Sequence, residues 1–151
     1  MEATPMARIR SIQTYKYTIP QTADDPEPCV VLFRRMTVAE YLADMEVRAE
    51  LEGEQIKIGT EAMADMAAGD SGGVKKAAYD AGLRVVRNEK ASLEAVRALL
   101  TKHAIEVTGL EGWQDDGHES ALDALLSYTP IALGMAKALR EASSVGEALG
   151  K

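Results

Sequence analysis

AIEVTGLEGWQDDGHESALDALLSYTPIALGMAKALREA, residues 104–142, is the stretch around which the rest of the chain is organised. A short apolar lead-in around Ile105 and Val107 runs to the only tryptophan, Trp113. Gly109 and Gly112 flank Glu111 and rule out a long helix here, so Trp113 is presented from a turn. From Glu119 to Ser127 the spacing brings Leu122, Leu125 and Leu126 to one helical face. Thr129-Pro130 then predicts a second helix start, with threonine as N-cap and proline at the first helical position, where its missing N–H costs nothing. Ile131, Met135, Ala138, Leu139 and Ala142 line that last helix.

Upstream, Thr37-Val38-Ala39-Glu40 has the form of a capping box, in which the threonine hydroxyl accepts from a backbone N–H three residues on and the glutamate reaches back to the cap. The helix it opens places Val38, Tyr41, Leu42, Met45 and Ala49 on an apolar face and Glu40, Asp44, Glu46 and Arg48 on the other, with Gly53 as the expected stop. A shorter helix is expected from Thr60 to Ala68, ended by Gly69, and 69–73 reads as a glycine hinge. A long helical region follows from Val74 to His103, with Ala78, Ala81, Val85, Leu93, Val96 and Leu99 as core positions and a break near Asn88 to Ser92. It carries seven basic residues against three acidic ones in an acidic protein. A solvated face with Asp80–Arg84 and Lys90–Glu94 pairs, complementing acidic neighbours, explains this better than nucleic-acid binding, which calls for denser charge with interleaved aromatics.

The chain begins with two strand-like runs. Arg8 to Ile19 mixes β-branched and aromatic residues, with Tyr15, Tyr17 and Ile19 alternating, and Pro20 ends it. After the acidic loop 20–28, Cys29 to Met36 is a second strand whose Val30-Val31-Leu32-Phe33 is apolar on both faces. The two form an antiparallel pair, which needs a helical layer to be stable. The fold class read from these patterns is mainly α (α+β): a small helical domain with an N-terminal two-stranded antiparallel β element. It is a single domain over 1–151, with the β element at 1–36, the helical middle at 37–103, the Trp turn and two helices at 104–145, and a frayed tail at 146–151.

Composition agrees. At 151 residues the chain is long enough for one core, and with only 5% aromatics that core is built from alanine, leucine and methionine, which favour helix. A net charge of −7 argues against nucleic acid or an anionic membrane as partner, and no run approaches the length of a membrane-spanning helix. One cysteine, Cys29, excludes an internal disulfide and points to a reducing cytoplasm. The N-terminus lacks the pattern of a signal peptide.

No enzyme signature stands. Asp115-Asp116-Gly117-His118-Glu119 gathers carboxylates and an imidazole, but its spacing matches no calcium loop, and an acidic turn is the better account. Gly69 to Lys75 lacks the glycine before the lysine and the serine or threonine after it that a phosphate loop requires. Cys29 can pair with His103 or His118 as nucleophile and base only if exposed, and its apolar strand argues for packing. Met63 and Met66 lie three apart on an alanine-rich helix and form a soft surface able to accept varied partner side chains, although core packing is the commoner role of such a pair. No cofactor, metal or catalytic residue is assigned.

The segments I105-E-V-T-G-L-E-G-W-Q-D-D-G-H-E and L122-x-x-L-L-S-Y-T-P-I-A-L-G-M-A-K-A-L resemble the C-terminal part of tail assembly chaperones from long-tailed bacteriophages and prophages. V30-V-L-F-R-R-M-T-V-A-E-Y-L resembles the N-terminal strand of that family entering a Thr-capped helix. The tryptophan here follows Gly-Leu-Glu-Gly rather than leading the glutamate, and the middle from Gly53 to His103 has no counterpart in the family. The resemblance implies a non-enzymatic chaperone in the bacterial host cytoplasm, absent from the mature virion. Its client would be the tape measure protein, kept soluble during tail tube assembly, with the tail tube protein and further copies of itself as additional partners. On that basis Met63, Met66, Trp113, Leu125 and Leu126 are the expected partner-binding residues. The alternative is a small acidic adaptor or inhibitor of a host protein, which calls for a contiguous acidic patch rather than exposed apolar surface.

Overall fold

A computed structural model describes residues 13–69 and 71–144. The fold is mainly helical with a small antiparallel sheet. The chain divides into two compact units, a sheet unit of 1–42 with 96–151 and a helical hairpin unit of 43–95.

In the sheet unit, strand β1 (Thr14–Thr18) pairs antiparallel with β2 (Val30–Arg34), Tyr15 facing Phe33 and Tyr17 facing Val31. The expected start of β1 at Arg8 lies outside the described residues. The acidic connection is closed by Thr22, whose hydroxyl donates to the Ile19 carbonyl (2.9 Å) and accepts from the Cys29 N–H (2.9 Å). The expected two-stranded element has a third member, β3 (Ala104–Thr108), antiparallel to the other edge of β2. The reason is physical. A strand apolar on both faces, as β2 is, needs its backbone groups paired along both edges. The β2–β3 register shifts between Leu32 and Phe33, so Phe33 faces Ala104 while Ile105 is passed over and stands exposed.

The inner face of the sheet, Tyr15, Tyr17, Val31, Phe33 and Val107, packs into one cluster with Val96, Leu100, Leu125, Met135, Ala136 and Leu139. Each fully buried Phe, Leu or Met in it contributes about 1.5–3 kcal/mol. The helices that close this core are α3 (Ala121–Leu126) and α4 (Thr129–Ala142). Ser120 caps α3 by accepting from the Asp123 N–H at 3.0 Å. Helix α4 begins one residue earlier than its sequence implies. Tyr128 is the N-cap and makes no side-chain cap hydrogen bond, and the proline lies in the first turn as expected. Met135 and Leu139 are fully buried, as their spacing predicted. The Ser143 hydroxyl at the end of α4 accepts from the buried Met36 N–H (3.0 Å) and so ties that helix to the segment that follows β2.

Two long helices, α1 (Val38–Ala68) and α2 (Ser71–His103), replace the shorter pieces expected. Gly53 does not stop α1. A single interior glycine costs only about 1 kcal/mol, and the glutamates and leucine around it sustain the helix. The break near Asn88 to Ser92 is also absent, because both residues find partners that leave the helix intact. Asn88 Nδ2 donates across the hairpin to the Leu51 carbonyl (3.1 Å) and to Gln55 Oε1 (3.2 Å), and Ser92 bonds back to the Asn88 carbonyl. At the tip, α1 ends before Gly69, where a Cβ would lie 3.2 Å from the Asp65 carbonyl oxygen and 3.4 Å from the backbone of Gly73. Asp70 of the expected hinge and the tail 146–151 lie outside the described residues.

Candidate partner-binding surfaces

The faces of α1 are reversed relative to the sequence reading. Val38, Leu42 and Met45, expected in the core, are 50%, 54% and 45% exposed, while Asp44 and Arg48 on the opposite side are half-buried and form an ion pair (3.1 Å). Tyr41 alone of that set packs against the core of the sheet unit. Of the positions expected to be buried on α2, Val96 is buried and Leu99 packs beside it, Ala81, Val85 and Leu93 are half-buried, and Ala78 is exposed.

The hairpin unit is held by a polar seam as much as by apolar packing. Arg84 bridges Glu61 (2.6 Å) and Glu54 (3.4 Å) across it, rather than pairing with Asp80 on its own helix. This is the intramolecular complementarity that the basic character of α2 implied. Among the described residues of the hairpin, Ile58 is the one buried apolar side chain. By contrast Ile56 (63%), Met63 (74%), Tyr79 (68%) and Val86 (63%) are far more exposed than is usual for such large apolar groups.

The expected binding residues divide between the units. Met63 is highly exposed and Met66 half-buried, both on α1 in the hairpin. Trp113 sits half-buried in the turn between β3 and α3, where its carbonyl accepts from the His118 N–H (3.3 Å). Leu125 corrects the expectation. It is buried in the core beneath the sheet and offers no surface to a partner, because α3 is short and its inward face is fully used. Leu126 is half-buried against the same core. Ile56, Tyr79 and Val86 were not among the expected residues. The signal that could have found them is a seven-residue spacing, 49, 56 and 63 on α1 and 79, 86 and 93 on α2.

Glu40 has a second role that local sequence did not reveal. It completes the capping box, accepting from the Thr37 N–H (3.0 Å) while Thr37 Oγ1 accepts from the Glu40 N–H (3.2 Å). Its carboxylate also takes a two-pronged contact from Arg34 (2.9 and 3.0 Å) and lies 3.1 Å from Lys102 Nζ. The Arg34 guanidinium, then the Thr37 N–H and Lys102, hold its pKa well below the usual carboxylate range. His103, almost fully buried, places Nε2 3.3 Å from the same carboxylate. Its Nδ1 lies 2.8 Å from the Leu99 carbonyl, which can only accept, so Nδ1 carries a proton. The arrangement joins the end of β2, the start of α1 and the end of α2.

The acidic turn is organised around Asp123. Arg97, the Glu119 N–H and His118 draw on its carboxylate and lower its pKa, Arg97 most strongly. Among the described residues no group of three His, Cys, Asp or Glu side chains comes together in a way that could hold a metal ion. Cys29 is fully buried and burial pushes its thiol pKa up, away from the thiolate that nucleophilic chemistry requires. No helix among the described residues is long and apolar enough to cross a membrane. Compared with known proteins, the chain matches no protein family, no characterised protein and no solved structure.

Proposed function

We propose that this protein is a non-catalytic chaperone of the phage tail assembly type, whose client is the tape measure protein. The observation that carries the reading is the exposure of Ile56, Met63, Tyr79 and Val86 on the helical hairpin. A helical client rich in apolar positions can lay its own face along either pair, Ile56 with Met63 or Tyr79 with Val86, whose members stand seven residues apart on one side of their helix. The negative charge of the chain keeps the resulting complex soluble. The sequence resemblance of 105–119, 122–139 and 30–42 supports the same class of function. Trp113 and Leu126 remain candidates for a second contact on the sheet unit, since both are half-buried rather than enclosed.

The test is co-expression with a tape measure protein from a long-tailed phage. Soluble yield of the client rises several-fold with the wild-type chain. It falls back with Ile56→Glu combined with Met63→Glu, substitutions at exposed positions that leave the helical content unchanged by circular dichroism. Equal client yield with and without this chain would defeat the proposal. Loss of function on neutralising the acidic residues of α1, with the apolar variants fully active, would favour the acidic adaptor instead.

A further inference from the structure

Along α1 in the hairpin unit, Met45, Ala49, Glu52, Ile56, Gly59 and Met63 follow one another at alternating intervals of four and three residues. That is the spacing of the seam along which one helix pairs with another, and it holds here for about 27 Å of helix length. All six positions are exposed. The other helix of the hairpin does not cover them, because α2 meets the opposite side of α1. Asn88 reaches the Leu51 carbonyl and Gln55, Arg84 reaches Glu54 and Glu61, and Ile58 is buried. Ile56 is turned by about 200° from Ile58 around the helix axis, so a row centred on Ile56 faces away from α2.

The charge beside this row is unbalanced. The two cations between Ala43 and Ala68 are taken by carboxylates one turn away on the same helix, Arg48 by Asp44 (3.1 Å) and Lys57 by Glu61 (3.9 Å), and Glu54 is engaged by Arg84. Glu46, Glu50 and Glu52 are exposed and form no ion pair among the described residues. Glu46 and Glu50, one turn apart, line one border of the row, and Glu52 stands within the seam itself between Ala49 and Ile56. An apolar side chain laid on Glu52 would strip water from a carboxylate and return nothing, whereas a lysine or arginine there restores the lost hydrogen bonds. Gly59 leaves a notch: a Cβ added to it would meet nothing within 4 Å, so a side chain of another helix can seat against bare backbone.

We propose that this face of α1 receives a basic amphipathic helix of another protein, one with apolar residues at heptad spacing, lysines or arginines along its borders and a cation opposite Glu52. Charge complementarity selects that occupant. An acidic helix is repelled by Glu46, Glu50 and Glu52 and by the net charge of −7, and a wholly apolar one leaves Glu52 unpaired. The apolar positions supply affinity, and the carboxylate inside the seam fixes the register. The inference deepens the chaperone reading, on which it rests for the identity of the client: the segment that docks is a helix bordered by lysine or arginine, and not any apolar stretch.

The test uses the full chain and two fluorescein-labelled model helices of about 20 residues, enough to span the row. One carries leucine at the seam positions and lysine along its borders, and its twin has glutamate in place of every lysine. Fluorescence anisotropy is expected to show the lysine helix binding about 100-fold more tightly than the twin. Ile56→Glu, with helical content retained by circular dichroism, is expected to weaken the lysine helix about tenfold, whereas attraction by charge alone would be strengthened by the added carboxylate. Glu52→Lys is expected to narrow the gap between the two helices about tenfold. No binding of the lysine helix, equal binding of both, or binding unmoved or tightened by Ile56→Glu overturns the inference. So does a self-associated free chain that Ile56→Glu breaks apart, since a second copy then fills the seam. If the lysine helix fails to bind while the chain still raises client yield, this docking mode is wrong and the chaperone reading stands. If the lysine helix binds as described and client yield does not move, the seam stands and the tape measure protein is not its partner.

Discussion

The sheet unit and the hairpin unit spend their apolar residues in opposite ways. All the buried apolar side chains described, except Ile58, belong to the sheet unit, where three short strands and the inward faces of α3 and α4 enclose one core. The hairpin has comparable large apolar residues in Ile56, Met63, Tyr79 and Val86, but leaves them in water and holds itself with Arg84 and Asn88 across the seam. Burial in the first region accounts for a fold. Exposure in the second adds nothing to a core, and it is the surface on which the proposed client contact rests.

The contrast can be broken most directly at the core. Phe33→Ala removes a fully buried ring from the middle strand and is expected to destabilise the sheet unit by about 3–5 kcal/mol, read by urea denaturation. Gly109→Ala comes next. Gly109 has φ +76°, and a Cβ there would fall 2.4 Å from the Pro28 carbonyl oxygen, so the turn leaving β3 must move away from the residues leading into β2. Backbone strain of this kind costs about 1–3 kcal/mol before the steric conflict is added, and the same denaturation experiment measures it.

A smaller effect is expected at Glu40, and it depends on pH. Because Arg34, Thr37 and Lys102 depress its folded pKa below the reference value of 4.5, the Glu40 carboxyl group binds fewer protons in the folded state than in the unfolded one at acid pH. The stabilisation is full above the unfolded value and is lost as pH falls below about 4.5 toward the folded pKa. Glu40→Gln is expected to remove about 1–2 kcal/mol at neutral pH, held to the lower end by the partial exposure of Arg34. It is also expected to flatten the acid limb of a stability profile measured from pH 3 to 7. An acid limb identical to that of the wild type would show that the contact with Arg34 is not maintained in solution.

The hairpin rows should give the smallest change in stability of all. Ile56→Ala, at a side chain 63% exposed, is expected to shift the stability of the chain by no more than about 0.5 kcal/mol while reducing client yield. A large loss of stability would mean that Ile56 is packed within its own chain, and the comparison between the two units would collapse.

Local chemistry was legible where the relevant partners are near in sequence. The Thr37–Glu40 capping box, the proline in the first turn of α4, the β1–β2 pair and the buried face of α4 all rest on residues within a few positions of one another, or on a period written along a single element. The third strand is not legible in the sequence, because a five-residue run containing Glu106 carries little periodic signal and becomes a strand only when β2 offers an edge. The buried face of α1 is not legible for a related reason. Two apolar sectors compete on that helix, and spacing alone does not say which one a distant helix will cover.

The sequence by itself determined that the chain would be mostly helical, where several helices begin, and that Cys29 and Leu139 would lie inside, since these follow from propensity, capping and periodicity, which act over one or two turns. Only the tertiary structure decided that Gly53 and Asn88 sit within unbroken helices, that Glu40 gathers Arg34, Lys102 and His103, and that Leu125 is enclosed while Ile56 and Val86 are not. Those outcomes depend on which surfaces meet across many residues of chain. The free energy of such meetings is shared between elements and is written in neither one alone.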